Sequence, residues 1–215
     1  MNLILTPLRI EAGIVLAHLR GVRPVSIDGA ARCWTGRAPC SGRLAVGCTG
    51  WGVRQARTRT GTLLDRLDPE LVVGWGTAGA LAQGVNAGDL AVCCRVVAGM
   101  TGNVLDMRGT ADGIEPAFAG PARCRMLPVS GLTWPHPVLR RSTRRSLARR
   151  FDCQVVEMEN AALARLARGS GAGFLPMRTI LDDFSFPPPV SLRYMRFLRD
   201  SLHAGARAAV GAAAG

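Results

Sequence analysis

Three carboxylates stand where an apolar, strand-like run gives way to a helix or a turn. Glu11 follows the run 2–6, Glu159 follows 154–156, and Asp182 follows 174–181. Ligands of open α/β sheets collect at the carboxyl edge of the strands. A buried carboxylate there is costly unless it is solvated or paired. Glu11 taken alone is also explained as an acidic residue in the first turn of a helix. Three carboxylates at three strand ends form a constellation suited to proton transfer and to holding hydroxyl groups. Two of them have an acidic neighbour, Glu157 and Asp183.

Residues 71–92, LVVGWGTAGALAQGVNAGDLAV, carry the densest pattern in the chain. An apolar run reaches Gly74, Gly76 and Gly79, which predicts a buried strand over 71–73 followed by a sharp turn. Thr77 offers that turn a hydroxyl and an amide. A tight crossing without ligand and a site for a polar group are equally consistent with the spacing. Gly74-x-Gly76-x-x-Gly79 matches the letters of the dinucleotide fingerprint, but that fingerprint must open a helix. Here Gly84, Asn86 and Gly88-Asp89 lead within a few residues into another strand, which excludes NAD binding.

The elements that must position these residues alternate. Strands are expected at 2–6 and 44–48, helices at 9–19 and 53–67, with a glycine-flanked turn at 49–52 and an irregular stretch, with a hairpin, over 20–41. Further strands are expected at 126–130, 154–156 and 174–181. Helices are expected at 138–150, 161–167 and 190–210, and no periodic element over 98–125. This alternation argues an α/β layered fold. His136 lies between Pro135 and Pro137 and reads as an exposed loop residue. Trp134 reads either as a core tryptophan or as a wall for a stacked base.

With 215 residues, one domain is expected. No apolar run reaches the ~20 residues of a membrane span. The start, MNLILTPLRIEAG, has no basic segment ahead of its apolar residues and reads as a first core strand. Seven cysteines with no CxxC pair make a zinc site unexpected, and a reduced, cytoplasmic chain is the default. The formal charge is +12, all of its basic residues being arginine. The arginines are dispersed, and the run Arg140-Arg141, Arg144-Arg145, Arg149-Arg150 has helical spacing without interleaved aromatics. It reads as a solvated helix face, so nucleic acid is not an expected partner; attraction of acidic substrates or partners stays open.

Several motifs, in order, resemble the purine nucleoside phosphorylase and methylthioadenosine nucleosidase superfamily. Gly76-Thr77-Ala78-Gly79 and Asn86-Ala87-Gly88-Asp89 resemble its G-S/T-x-G and N-x-G-D segments. Val156-Glu157-Met158-Glu159 resembles V-E-M-E, and the run 174–182 resembles its F-x-x-x-R-x-I-S-D strand. Thr49-Gly50-Trp51-Gly52, Ser130-Gly131 with Trp134, and the segment ending at Glu11 resemble further motifs more loosely. The resemblance implies a three-layer αβα fold with a mixed central sheet, no cofactor or metal, and a homodimer whose partner closes the 5′ pocket.

It also implies an activity: hydrolysis of the base–ribose bond of a purine nucleoside, adenine by preference, with a modified 5′ substituent. By this resemblance Asp182 is the acid that protonates N7, Glu159 holds the ribose hydroxyls over Met158, and Glu11 activates water. Thr77 and Gly79 line the nucleophile side, and Trp134 and Trp51 contact the substrate. Leu181 replaces the usual serine before the acid, and Asp183 competes for its role. Gly74 stands where some phosphorylases carry an arginine, which favours water; Pro7-Leu8-Arg9 resembles their P-L-R, which keeps phosphate open. The shortened stretch after Val97 and the prolines 187–189 resemble compact hopanoid-associated phosphorylases, thought to act on adenosylhopane. A non-catalytic nucleoside binder on the same fold is the reading from another class.

Overall fold

The structure is a computed structural model and describes residues 1–27, 32–39, 42–111, 120–183 and 192–215. Its strands are β1 Asn2–Thr6, β2 Arg20–Val25, β3 Arg32–Arg37, β4 Arg43–Cys48, β5 Leu71–Ala80, β6 Leu90–Ala98, β7 Val104–Asp106, β8 Met126–Thr133, β9 Val155–Glu157 and β10 Gly173–Asp182. Its helices are α1 Arg9–Leu16, α2 Val53–Leu67, α3 Arg108–Ala111, α4 Arg141–Phe151, α5 Asn160–Gly169 and α6 Leu192–Ala214.

β5 is the hub of one mixed sheet. Its first half lies between β1 and β10, parallel to both, and its last two residues pair antiparallel with β9. β10 then pairs with β6, β6 with β8 and β8 with β9, so β5 and these four strands close a ring. On its other side β1 continues through β4 and β3 to β2. Helices α1 and α6 cover one face, and α2 and α5 the other. Central strands covered on both faces read as continuous apolar runs; Leu3, Ile4, Leu5, Val72, Val73, Leu175 and Met177 are accordingly buried.

The expected turn at Gly74–Gly79 is instead strand. β5 runs unbroken to Ala80, and none of these glycines has a positive φ. Their role is close approach. A Cβ at Gly76 would lie 2.9 Å from Pro7 Cδ and 3.3 Å from Glu11 Oε1; one at Gly79 would lie 3.0 Å from Asp182 Oδ1. Glycine is required because Phe174, Pro7 and the Glu11 and Asp182 carboxylates crowd the strand, not because the chain turns.

Smaller differences have similar causes. The irregular stretch 20–41 contains the antiparallel pair β2–β3. Residues 98–125, expected to hold no element, contribute β7 and the single turn α3, which lean on β6. β8 runs three residues beyond Ser130, because its register with β6 continues to Thr133. The prolines 187–189 lie outside the described residues. Among the described residues no helix is long and apolar enough to cross a membrane.

Candidate active site

β1 is shorter than β5, and this difference builds the first part of the site. β1 pairs with β5 only as far as Leu5–Gly74. The chain then turns at Pro7 into α1, leaving the Thr77 amide without a strand partner on that side. Glu11 fills the place. Its Oε1 accepts from Thr77 N–H and from Thr77 Oγ1, both at 3.0 Å, and its Oε2 accepts from Leu8 N–H at 2.9 Å. Glu11 is only 2 % exposed. Burial raises its pKa above the ordinary carboxylate value, against the opposing pull of the Leu8 amide, Arg178 and Thr77.

The second carboxylate comes from the β9–α5 junction. Glu159 Oε1 accepts from Gly52 N–H at 2.8 Å. Gly52 has φ +86°, a conformation that favours glycine, and this aims its amide across the site. Burial, and next the like charge of Glu157, raise the Glu159 pKa to about 7. Glu157 is the better compensated of the two. It accepts from the amides of Glu159 and Asn160 at 2.8 and 2.7 Å and from Arg178 Nη2 at 3.2 Å, and the Thr133 hydroxyl also donates to it. It therefore caps α5, which fixes where Met158 and Glu159 point.

The third carboxylate, Asp182, closes the site at the end of β10. The resemblance gives it the role of an acid, which a deeply buried carboxyl would fill most simply. It is instead partly exposed and held by Arg144, Nη1 to Oδ1 and Nη2 to Oδ2, both at 2.7 Å. Arg144 Nε also donates to Val138 O at 2.9 Å. A carboxylate whose two oxygens both accept from a guanidinium presents the cavity with an acceptor, not an O–H donor.

Arg144 corrects the reading of α4 as a solvated arginine face. Its neighbours Arg141 and Arg145 are exposed, but Arg144 is 2 % exposed. It shares a stripe with Leu147 and Phe151 at helical spacing, and a charge on an apolar stripe was the available signal. Arg178 is the other missed residue. Fully buried, it donates to Gly74 O at 2.7 Å and pairs with Glu157, tying β10 to β5 and to the start of α5.

These side chains surround one cavity of about 180 Å³. Glu11, Thr77, Gly79, Met158, Glu159, Asp182 and Trp51 all line it, although Trp51 is 56 % exposed. His136, expected to be only an exposed loop residue, lines it as well. Trp134 does not. Its ring packs on Phe151, 6.0 Å between centroids, and over Gly99, where a Cβ would lie 2.5 Å from the indole. It belongs to the small cluster with Leu81 and Leu132, the core alternative for this tryptophan. Arg9 is exposed and does not line the cavity. Among the described residues no group of three His, Cys, Asp or Glu side chains could hold a metal ion.

The model of the phosphorylase superfamily matches residues 4–140 of the chain. The fold is similar to the 5′-methylthioadenosine/S-adenosylhomocysteine nucleosidase of Neisseria meningitidis, solved with methylthio-immucillin-A. The two are 17 % identical with a TM-score of 0.78, over 98 % of this chain and 97 % of that one. It is similar to the corresponding nucleosidase of Colwellia psychrerythraea, solved with adenine, at 17 % identity and TM-score 0.76, over 100 % and 96 %. The futalosine hydrolase of Helicobacter pylori is 17 % identical with a TM-score of 0.75, over 96 % and 94 %. No curated protein matches the chain.

Proposed function

Because the chain belongs to the phosphorylase superfamily, we propose that its cavity hydrolyses the N-glycosidic bond of a purine nucleoside, adenine by preference, with a modified 5′ substituent. The observation that carries this reading is the convergence of Glu11, Glu159 and Asp182, from three separate parts of the chain, on one cavity that Met158 also lines. The neighbours solved with adenine and with methylthio-immucillin-A support the substrate class.

In this mechanism Glu159 accepts hydrogen bonds from the ribose hydroxyls, and Met158 packs under the sugar. Asp182, oriented by Arg144, takes up a solvent proton as substrate binds and passes it to N7. The C1′–N9 electron pair then leaves with the base. Water attacks C1′ and gives its proton to Glu11, whose raised pKa makes it a stronger base than an exposed glutamate. The products are free purine and free sugar. Among the described residues the only arginine lining the cavity is Arg144, already joined to Asp182. This favours water over phosphate, which draws on cationic donors.

We place this activity in a cytoplasmic homodimer whose partner closes the 5′ side, a state that light scattering of the purified protein measures directly. The activity is tested by incubating the protein with a panel of adenine nucleosides, with and without phosphate, and following free base and sugar. Release of base and free sugar is expected; binding without turnover across the panel would make it a nucleoside-binding protein.

A further inference from the structure

Far from the carboxylate cavity, at the outer end of the sheet, the pairing of β2, β3 and β4 sets like charges side by side. Arg20 is the cross-strand partner of Arg37, and Arg37 is the partner of Arg43. Cross-strand partners project from the same face of a sheet. Three arginines therefore stand in one row across three adjacent strands. Arg23 pairs with Thr35, two residues from Arg37. Alternate residues of a strand share a face, so Arg23 joins the row on that face. All four are exposed.

This arrangement carries a cost. Like charges directly opposite in a sheet destabilise it. Among the described residues none of these four side chains has a hydrogen bond or an ion pair, and no acidic residue lines the cavity of about 760 Å³ that they surround. This sets them apart from Arg95, Arg125, Arg144 and Arg178, each paired with a carboxylate. A guanidinium fork matches phosphate oxygens two at a time. Four forks turned into one concavity match an anion of several linked phosphates.

We propose that the β2–β3–β4 face is a binding site for a small polyphosphate, with Arg37 at its centre and Arg20, Arg23 and Arg43 around it. The row is two strand spacings wide, about 10 Å, which suits a short chain of phosphates better than a single one. Among the described residues no aromatic side chain lines the cavity, so it has no platform there on which the bases of a nucleic-acid strand could stack. The bound anion offsets the repulsion within the row and stabilises the fold. This site does not depend on the nucleosidase reading, because among the described residues it shares none with the carboxylate cavity.

The test is calorimetric titration of the full-length protein with sodium tripolyphosphate at ~150 mM salt, where surface charges are screened beyond about 8 Å. One-to-one binding is expected, with inorganic sulfate at least tenfold weaker and a melting temperature that rises with tripolyphosphate. Arg37→Gln, and independently Arg43→Gln, should weaken binding at least tenfold, while Arg149→Gln on α4 leaves it unchanged. Competition by ATP identifies the source of the ligand: no gain over tripolyphosphate points to a bare phosphate chain, and a tenfold gain points to a nucleotide. Without ligand, Arg37→Thr should melt higher than the parent protein. The proposal is overturned by absence of saturable binding or by equal binding in Arg37→Gln. It is also overturned if a 20-base-pair DNA duplex binds in preference and loses its affinity in that variant, which would make the face a nucleic-acid surface.

Discussion

Arg144 and Asp182 meet through two parallel hydrogen bonds of 2.7 Å, one helix and one strand end joined by a bidentate ion pair. The arginine is buried and the aspartate partly open to the cavity. The pair therefore has a structural end and a chemical end. This gives Asp182 an orientation that the serine missing before it, replaced by Leu181, would otherwise help to supply.

Asp182→Asn is expected to lower base release by ~10²-fold or more, the scale of a lost general acid. It should also destabilise the fold, by about 3–5 kcal/mol, because the buried Arg144 charge loses its counterion. Turnover and urea denaturation of the same preparation measure both. If Asp182→Asn turns over normally while His136→Ala does not, the acid is the histidine that lines the same cavity.

Arg144→Met tests the pair from the other side. It removes the buried charge and keeps most of the volume, so the Asp182 carboxylate is no longer held. We expect kcat to fall about tenfold or more, as for a lost orienting contact, with KM nearly unchanged. The double variant Arg144→Met/Asp182→Asn should be more stable than Asp182→Asn alone, since no uncompensated charge remains. Additive losses in this cycle would show that the two residues act independently.

Glu159 gives a prediction with a pH sign. Its ordinary value of 4.5 rises to about 7 in the folded protein. The native state thus holds a proton that the unfolded chain has released, and stability falls as pH rises from ~4.5 to ~7. Glu159→Gln should therefore be more stable than the parent at pH 8, by up to about 3 kcal/mol from the shift, and equal to it near pH 4. The same change should impair cleavage of ribosides more than of 2′-deoxyribosides, because an amide replaces a carboxylate opposite the hydroxyls. Equal losses on both substrates would remove Glu159 from the ribose side.

Much of this site was legible in the sequence because strand ends are legible. Apolar runs at 2–6 and 174–181, each ended by a carboxylate, place Glu11 and Asp182 on one edge of the sheet once the strands are parallel neighbours of β5. What one dimension hides is who compensates each charge. Arg144 looked like five other arginines, and only its stripe with Leu147 marked it as inward. Arg178 sat within a recognised motif without a role, because its partners Gly74 and Glu157 lie 104 and 21 residues away. The glycines of β5 were misread for a related reason. Local sequence suggests a turn, whereas the need for glycine comes from Pro7, Glu11, Phe174 and Asp182, which approach from distant parts of the chain. Trp134 was placed by motif order alone, and order does not say which way a ring leaves the end of a strand.

The nucleophile supplies the last prediction. Glu11 accepts three hydrogen bonds, two from Thr77 and one from Leu8. They fix its carboxylate against β5 at the wall of the cavity. A buried carboxylate in that position attracts the proton of a water and repels a phosphate dianion. Arg9, two residues away, is exposed and outside the cavity lining, so it does not offset that repulsion. The product should be free sugar, formed at a rate indifferent to added phosphate. Turnover should fall on the acid side as Glu11 takes up a proton, at a higher pH than an ordinary glutamate because burial raises its pKa. Glu11→Gln should reduce turnover by ~10²-fold or more, and Arg9→Ala should leave it unchanged. Isolation of a sugar 1-phosphate, with a rate that climbs with phosphate and collapses in Arg9→Ala, would instead make the protein a phosphorylase and require Arg9 to swing into the cavity when phosphate binds.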